Sequence, residues 1–450
     1  MQRATIERAA REVPRYTSYP PANHFHEGVG EAQYRDWLGA IAGRPEISLY
    51  LHLPFCRQLC WYCGCHTTIP NDYQRARDYV GLMRAESRML AEAMAAHGGV
   101  GHLHFGGGTP TYLAADDLAR LFEAIDGTFG FRAGAEIAVE VDPRGLDAAM
   151  ARTLRALGVN RVSLGVQDFD PEVQREINRV QPFAQVADAV AALRAAGIDA
   201  INFDLMYGLP RQSVESVRRS AELAASLGPG RVAVFGYAHV PWFKKHQRML
   251  DEASLPGTAA RLAQAQAIAG ALARQGYVAI GLDHFALPGD ALAEAAETGT
   301  LRRNFQGYST DRARVTLGLG ASSIGSLPQG FVQNAPHLAL YAERIREGRF
   351  PVQRGFALAP EDRLRAEVIE RLMCDFAVDL PSLCRAHGFA DDALDGAQAP
   401  LAELAADGLV HLDGGTISVP SEARHFVRMA AACFDSYLAP EGTRRHSRAV

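Results

Sequence analysis

Short apolar runs rich in β-branched residues recur along the chain: ISLYLHLP (47–54), VGHLHFGG (100–107), AEIAVEVD (135–142), NRVSLGVQ (160–167), DAINFDLMYGLP (199–210), RVAVFGYAHV (231–240) and a seventh, YVAIGLDHF (277–285). Between them lie Ala/Leu/Arg/Glu stretches with helical periodicity, such as DYVGLMRAESRMLAEAMAAH and QVADAVAALRAAG. Strand, helix, strand at this spacing argues for βα units around a parallel sheet. The expected class is therefore α/β, with six or seven units forming a partial or full barrel. A three-layer open sheet is the competing arrangement.

In parallel βα barrels the chemistry sits at the C-terminal ends of the strands, in the loops that follow them. Here the first run is followed by CRQLCWYCGC (56–65), the second by GGGTPT (106–111), the third by EVDPR (140–144) and the fourth by GVQDF (165–169). The fifth carries Asp204 shortly before YGLP, and the sixth ends in YAH (237–239). One polar strand end means little, but six in succession define a mouth built for chemistry.

Bulk properties exclude other classes. The chain has 450 residues, 48% hydrophobic and 22% charged, enough for a large core in two or three domains, or in one barrel with an appendage. A net charge of -5 and a pI near 6.3 give no basic excess for nucleic acid or a membrane surface. The N-terminal MQRATIERAAREVPRYTSYP carries charges throughout and no apolar core, unlike a secretory signal, and no apolar run is long enough to span a bilayer. Four of the seven cysteines lie within 56–65. A secreted disulfide framework would disperse them, so they read as reduced, ligand-forming thiols of a cytoplasmic protein.

Zinc is the plainest use of such a cluster, but structural zinc sites usually pair C-x2-C with a second, distant pair of ligands. This stretch reads C-x3-C-x2-C-x-C, which crowds Cys63 and Cys65 too closely for an easy four-thiolate tetrahedron. An iron–sulfur cluster held by Cys56, Cys60 and Cys63, with one iron left open, fits better, because one loop can wrap three corners. Trp61 and Tyr62, between the ligands, would shield it. Zinc or purely structural thiols remain the alternatives.

C-x3-C-x2-C after a first barrel strand resembles the radical SAM superfamily. Cys65, PRYTSYP (14–20), SLYLHLPFC (48–56), FGGGTPTYL (105–113), EVDPR, GVQDF, NFQGY (304–308) and the terminal SRAV resemble one family within it, nearly end to end and in order. That family is the oxygen-independent coproporphyrinogen III oxidases of anaerobic haem biosynthesis. The resemblance implies a partial parallel (βα)6-type radical SAM barrel over 46–350, an N-terminal arm (1–45) covering its mouth and a mostly helical C-terminal cap domain (351–450). It also implies a [4Fe-4S] cluster, two molecules of S-adenosylmethionine, coproporphyrinogen III as substrate, a flavodoxin- or ferredoxin-like electron donor, an unidentified final electron acceptor and a monomer. In the implied reaction a low-potential electron cleaves adenosylmethionine to methionine and a 5′-deoxyadenosyl radical. The radical takes hydrogen from the β-carbon of a propionate, carbon dioxide leaves, and the acceptor takes the remaining electron. Two propionates become vinyl groups in protoporphyrinogen IX.

Residue by residue, the resemblance places Gly107 and its neighbours against the methionine part of the cofactor, Glu140 on its ribose or ammonium, and Tyr50 as a further contact. Ile324 in LGLGASSIGS (317–326) matches an adenine-packing position, while Tyr62, Gly108, Thr109, Gln167, Arg179, Asp204 and Ala238 match the second adenosylmethionine. The local readings are plainer: a tight turn at GGG, a Glu140–Arg144 salt bridge, a solvated surface arginine at 179 and a core isoleucine at 324. Cys65 is implied in proton or hydrogen transfer near the substrate, and Phe305 and Gln306 in the substrate pocket. His52 and His104, inside apolar strands, read as core histidines, whereas His239 and His284 are strand-end candidates.

Lys244, Lys245 and Arg248 in PWFKKHQRM form a basic cluster suited to carboxylates or simply to water. After residue 350 the sequence reads as an amphipathic helix (360–376) followed by a helix–hairpin–helix module, with Cys374, Cys384 and Cys433 as small hydrophobes. A winged-helix nucleic-acid binder is disfavoured by the acidic charge. A haem-binding chaperone, or a radical enzyme acting on haem, are the rival functions. The fourth cysteine and PRYTSYP argue against the chaperone. Pro21 replaces a threonine usual in the family, a departure confined to the arm.

Overall fold

A computed structural model describes residues 12–94 and 96–438, so the terminal SRAV lies outside the described residues. The chain divides into two compact units: Phe25–Asp204 with Asp311–Ala357, and the segments up to His24, Leu205–Thr310 and from Leu358 onward.

The first unit is built on a sheet. The expected runs form β1 (Ile47–Leu53), β2 (Val100–Gly107), β3 (Phe131–Val141), β4 (Arg161–Gln167) and β5 (Ala200–Tyr207), the last straddling the division at Asp204. The β1–β2, β2–β3 and β3–β4 pairs are all parallel, as the intervening helices require. On the other side of β1 the sheet continues through β11 (Thr316–Leu319), β12 (Ile324–Leu327), β13 (Gly330–Asn334) and β14 (Val352–Ala357). β11 pairs parallel with β1, and β12–β14 follow antiparallel to their neighbours. Apolar periodicity did not reveal these strands, because they are only four to six residues long and each contains a glycine.

Alternation sets the two faces of β1. Leu49, Leu51 and Leu53 are buried to 2% exposure or less, while Tyr50 and His52 turn toward the polar groups of β2 and β3. The helix Gln74–Ala93 covers the unit with Ala76, Tyr79, Val80, Met83, Glu86, Ser87 and Leu90, the spacing of a single helical face. Within this stripe Glu86 is a carboxylate, held by the Gly320 N–H (2.7 Å), the Tyr341 hydroxyl (2.7 Å) and the Asn334 amide (2.6 Å).

The second unit contains β6 (Arg231–Gly236). The run expected as a seventh strand is instead divided into β7 (Val278–Ile280) and β8 (His284–Ala286) around Gly281. Gly281 has φ +53°, and a Cβ there would stand 2.0 Å from the Tyr308 ring, so glycine is needed where the chain reverses. β8 lies antiparallel to both β6 and β7. A hairpin of β9 (Arg302–Asn304) and β10 (Gly307–Ser309) carries NFQGY. The amphipathic helix forms over Pro360–Asp375, and the module that follows holds Gln398–Ala406, β16 (His411–Asp413), β17 (Thr416–Ser418) and Val427–Ala432. β15 (Ala377–Asp379), which the sequence reading did not anticipate, pairs with β17 and completes a three-stranded sheet. Leu364, Val368, Leu372, Phe426 and Phe434 centre the core, and Val13, Tyr16 and Tyr19 of the arm belong to it. Tyr16 donates to the Asp435 carboxylate at 3.0 Å. Cys384 is buried there as a small apolar group, and Cys374 in a separate cluster with Ile280, Leu292 and Tyr308.

Candidate active site

The cysteine loop is pinned at several points. The Cys56 N–H donates to the Thr68 carbonyl (3.1 Å), Trp61 N–H to Ile177 (3.0 Å) and Cys63 N–H to Cys60 (3.1 Å). Asn178 holds the middle, its amide donating to the Leu59 carbonyl at 2.8 Å and its oxygen accepting from Gln58 at 2.9 Å. Cys60 is buried, Cys56 and Cys63 are half-buried, and Cys65 is exposed. The Cys56 sulfur lies 3.7 Å from the Thr109 hydroxyl, and burial pushes its thiol up to about 12, with Cys63 and Cys60 adding to the rise.

Two guanidiniums serve Cys60. Arg179 Nη1 approaches its sulfur at 3.4 Å and Arg144 Nη2 at 3.6 Å, and both bind Asp142, at 3.3 and 2.6 Å. Arg179 also donates to the Gly165 carbonyl at 2.6 Å. It is 6% exposed, so the local reading of a solvated arginine is overturned. Arg144 pairs with Asp142 rather than Glu140, which corrects the plain salt-bridge reading. Asp142 was missed although EVDPR had been singled out, since nothing in one strand end says which of two carboxylates faces the loop.

A three-iron-corner ligand set fits this loop by its donor chemistry: three thiols on one anchored turn, with cations aimed at one sulfur to favour the thiolate. Among the described residues no three His, Cys, Asp or Glu side chains already stand at metal-ligand geometry.

Glu140 stands beside this loop on β3. Its Oε1 lies 3.0 Å from His104 Nε2, and its Oε2 accepts from the Gly107 N–H at 3.2 Å. Burial alone would raise its pKa, but His104 and the Gly107 amide hold it below the usual carboxylate range. The register explains the grouping, because Tyr50 is paired with His104 and His104 with Ala138, two residues before Glu140. The Tyr50 and His104 rings stack with centroids 5.9 Å apart, and the Tyr50 hydroxyl lies 3.1 Å from His52 Nδ1.

The glycines are required by close approach. At Gly107, with φ +110°, a Cβ would stand 2.7 Å from the His52 ring, and at Gly108 it would meet the Phe55 carbonyl at 2.7 Å. They let the cysteine loop lie directly on the end of β2, where the Thr109 N–H donates to Phe55 at 2.8 Å.

Gln167 ends β4 with φ +67°, a conformation that costs a non-glycine residue about 1–3 kcal/mol and is concentrated at functional sites. Asp204 accepts from the Ser163 hydroxyl at 3.3 Å, and burial, then the charge of Glu140, push it up to about 7. Tyr62 is pushed up by burial too, with Arg179 opposing. The Ile324 backbone lies against Gly318, where a Cβ would come within 2.7 Å, and Gly318 is the register partner of Tyr50.

The remaining expected residues lie in the second unit. The Ala238 carbonyl follows β6 and accepts from Gln247 at 3.2 Å. Next to it, His239 bridges the Tyr237 hydroxyl (2.8 Å) and Glu252 (3.0 Å). Phe305 and Gln306 form the half-buried turn between β9 and β10, with the Gln306 N–H donating to Asn304 at 2.9 Å. Lys245 and Arg248 are exposed, and Lys244 lies 5.2 Å from the Phe243 ring.

Comparison with known proteins agrees with this geometry. Residues 50–224 match the radical SAM superfamily model and residues 358–426 the HemN C-terminal domain model. An oxygen-independent coproporphyrinogen III oxidase of Bradyrhizobium diazoefficiens is 50% identical over 438 residues, covering 97% of each chain. The enzyme of that name from Escherichia coli K12 is 40% identical over 443 residues, 97% of this chain and 95% of that one. The solved structure of coproporphyrinogen III oxidase (HemN) from Escherichia coli, described as a radical SAM enzyme, superposes with a TM-score of 0.90 at 38% identity, covering 95% of this chain and 100% of that one. With this likeness spanning almost its whole length, the chain belongs to the oxygen-independent coproporphyrinogen III oxidase family of radical SAM enzymes.

Proposed function

We propose that this protein oxidatively decarboxylates two propionate side chains of coproporphyrinogen III to vinyl groups, giving protoporphyrinogen IX without oxygen. The observation that supports this most directly is the anchored Cys56–Cys60–Cys63 loop seated on the same strand ends as Glu140 and Gly107. When bound, a [4Fe-4S] cluster on those three thiols and S-adenosylmethionine would supply the electron and the 5′-deoxyadenosyl radical that start the oxidation.

Each residue then has a task its position suits. Glu140, kept ionised by His104 and the Gly107 amide, accepts hydrogen bonds from the ammonium or ribose of the cofactor. Tyr50 and Ile324 flank it. Arg144 and Arg179 hold positive charge at Cys60. Tyr62, Gly108, Thr109, Gln167, Arg179 and Asp204 are proposed to receive a second adenosylmethionine. Cys65, exposed at the end of the loop, is proposed to act in hydrogen or proton transfer, and Phe305 and Gln306 to contact substrate. The reading includes a flavodoxin- or ferredoxin-like donor, an as yet unidentified acceptor, a monomer and a cytoplasmic site of action. No helix among the described residues is long and apolar enough to cross a membrane.

The test is anaerobic turnover of the reconstituted protein with reductant, adenosylmethionine and coproporphyrinogen III, with products read by mass spectrometry. Loss of two carboxyl groups that depends on adenosylmethionine is the expected result. Cofactor cleavage with an unchanged tetrapyrrole would sink the substrate assignment and turn attention to haem binding or haem chemistry.

A further inference from the structure

The second unit gathers arginines from three distant segments around one carboxylate. Arg303, on the NFQGY hairpin, has a side chain only 5% exposed, yet its Nε and Nη1 have no hydrogen-bond partner among the described residues. Nη1 stands 3.9 Å from Asp283, too far for a hydrogen bond, and the guanidinium lies over the Tyr308 ring at 4.4 Å. Its Nη2 donates to the Arg15 carbonyl at 3.4 Å. Arg15, from the arm, donates to the Gly236 carbonyl at 3.0 Å. Arg428, from the last described helix, is 6% exposed and donates to the Val13 carbonyl at 3.3 Å.

Asp283 is the carboxylate nearest Arg303, its charge is felt by Arg15 and Arg428 as well, and it is engaged elsewhere. Its Oδ1 lies 2.8 Å from His284 Nδ1. Burial would raise its pKa, but His284, Arg303 and Arg15 together pull it down to about 2. Burial lowers Arg428 to about 10, with repulsion from Arg15 and Arg303 contributing. Three guanidiniums under the influence of one carboxylate leave a net positive charge, which favours an anion. A buried guanidinium whose Nε and Nη1 have no partner among the described residues adds charged donors that an anion's oxygens can satisfy one at a time.

We propose that Arg303, Arg428 and Arg15 form a carboxylate-binding subsite that takes a propionate of the tetrapyrrole substrate. The proposal rests on the substrate reading given above. It assigns recognition to a desolvated cluster rather than to the exposed Lys245 and Arg248, whose charges water screens. Three chain segments meet in it, so arm, hairpin and C-terminal helix would all answer to one bound carboxylate.

The experiment uses the full-length reconstituted enzyme under anaerobic conditions. Equilibrium binding of coproporphyrinogen III and of its uncharged tetramethyl ester is measured alongside KM and kcat for wild type, Arg303→Gln, Arg428→Gln and Arg303→Lys. Removing a charge-assisted hydrogen bond should weaken binding of the tetra-acid about 10- to 150-fold and raise KM, leaving ester binding unchanged. Arg303→Lys should recover part of the loss. Tetra-acid binding within about twofold of wild type in both Gln variants would overturn the subsite, as would an equal loss for acid and ester, since that marks a merely structural role. Wild-type enzyme that cleaves adenosylmethionine but neither binds nor converts coproporphyrinogen III would sink the substrate reading, and the subsite with it.

Discussion

Arg179 Nη1 stands 3.4 Å from the sulfur of Cys60, and the same nitrogen reaches Asp142 at 3.3 Å. A cation so placed stabilises added negative charge on a thiolate-bound cluster. Arg179→Met should therefore lower the cluster's reduction potential by some tens of millivolts and reduce turnover about 10- to 100-fold with iron content retained. Redox titration followed by electron paramagnetic resonance measures the shift. An unchanged potential with normal turnover would leave Arg179 only a scaffold for the Gly165 carbonyl.

The four clustered cysteines should separate into two classes. Cys56, Cys60 and Cys63 are held by the backbone bonds that anchor the loop, while Cys65 lies exposed at its end. Replacing any of the first three by serine should abolish the visible absorbance of the cluster and the bound iron. Cys65→Ser should keep both and lose decarboxylation. Iron loss in Cys65→Ser comparable to that in the other three would make it a ligand and end its proposed role in hydrogen transfer.

Asp204 gives the proposed cofactor site a pH dependence. Its folded pKa is pushed up to about 7 by burial and by Glu140, so it is largely protonated in mildly acid solution and ionised above neutrality. Only the ionised form accepts hydrogen bonds from ribose hydroxyls with both oxygens. Adenosylmethionine affinity should accordingly rise as pH climbs from about 6 to 8, and Asp204→Asn should flatten that rise. Isothermal titration across this range decides the matter; parallel pH profiles for the two proteins would exclude Asp204 from the site.

Much of this architecture was legible in the sequence, and for identifiable reasons. The six runs are short segments rich in apolar and β-branched residues that alternate or cluster as buried strands do, so β1 to β6 could be read directly. The thiol spacing and the glycines announced their loop because few other residues can do their work. Arg179 was misread locally, since an arginine just past the end of a short helix (Pro171–Glu176) looks the same whether it meets water or Cys60. His104 owes its role to Glu140, brought beside it by strand register, and Asp142 owes its role to Arg179, 37 residues further along the chain. β11 to β14 escaped notice because strands of four to six residues that each contain a glycine carry little periodicity. The Gly281 reversal was hidden within an apolar run because its cause, the Tyr308 ring, is distant in sequence.

Glu86 is a buried support of the sheet, and its removal should be felt in stability. It is 1% exposed and accepts from Gly320, Tyr341 and Asn334 behind β1. Burial pushes its pKa up to about 7 despite those three donors. At pH values below the ordinary carboxylate range both folded and unfolded chains hold the proton, and burial costs least. As pH rises toward 7 the unfolded chain ionises first, so the folded state loses stability, and above 7 that loss is complete. Glu86→Ala leaves three buried donors without an acceptor and should cost about 3 kcal/mol at neutral pH. It should also flatten the decline in stability between pH 5 and 8. Urea midpoints over that range test both parts: an unchanged midpoint would mean water replaces the carboxylate, and an unchanged slope would place the titration elsewhere.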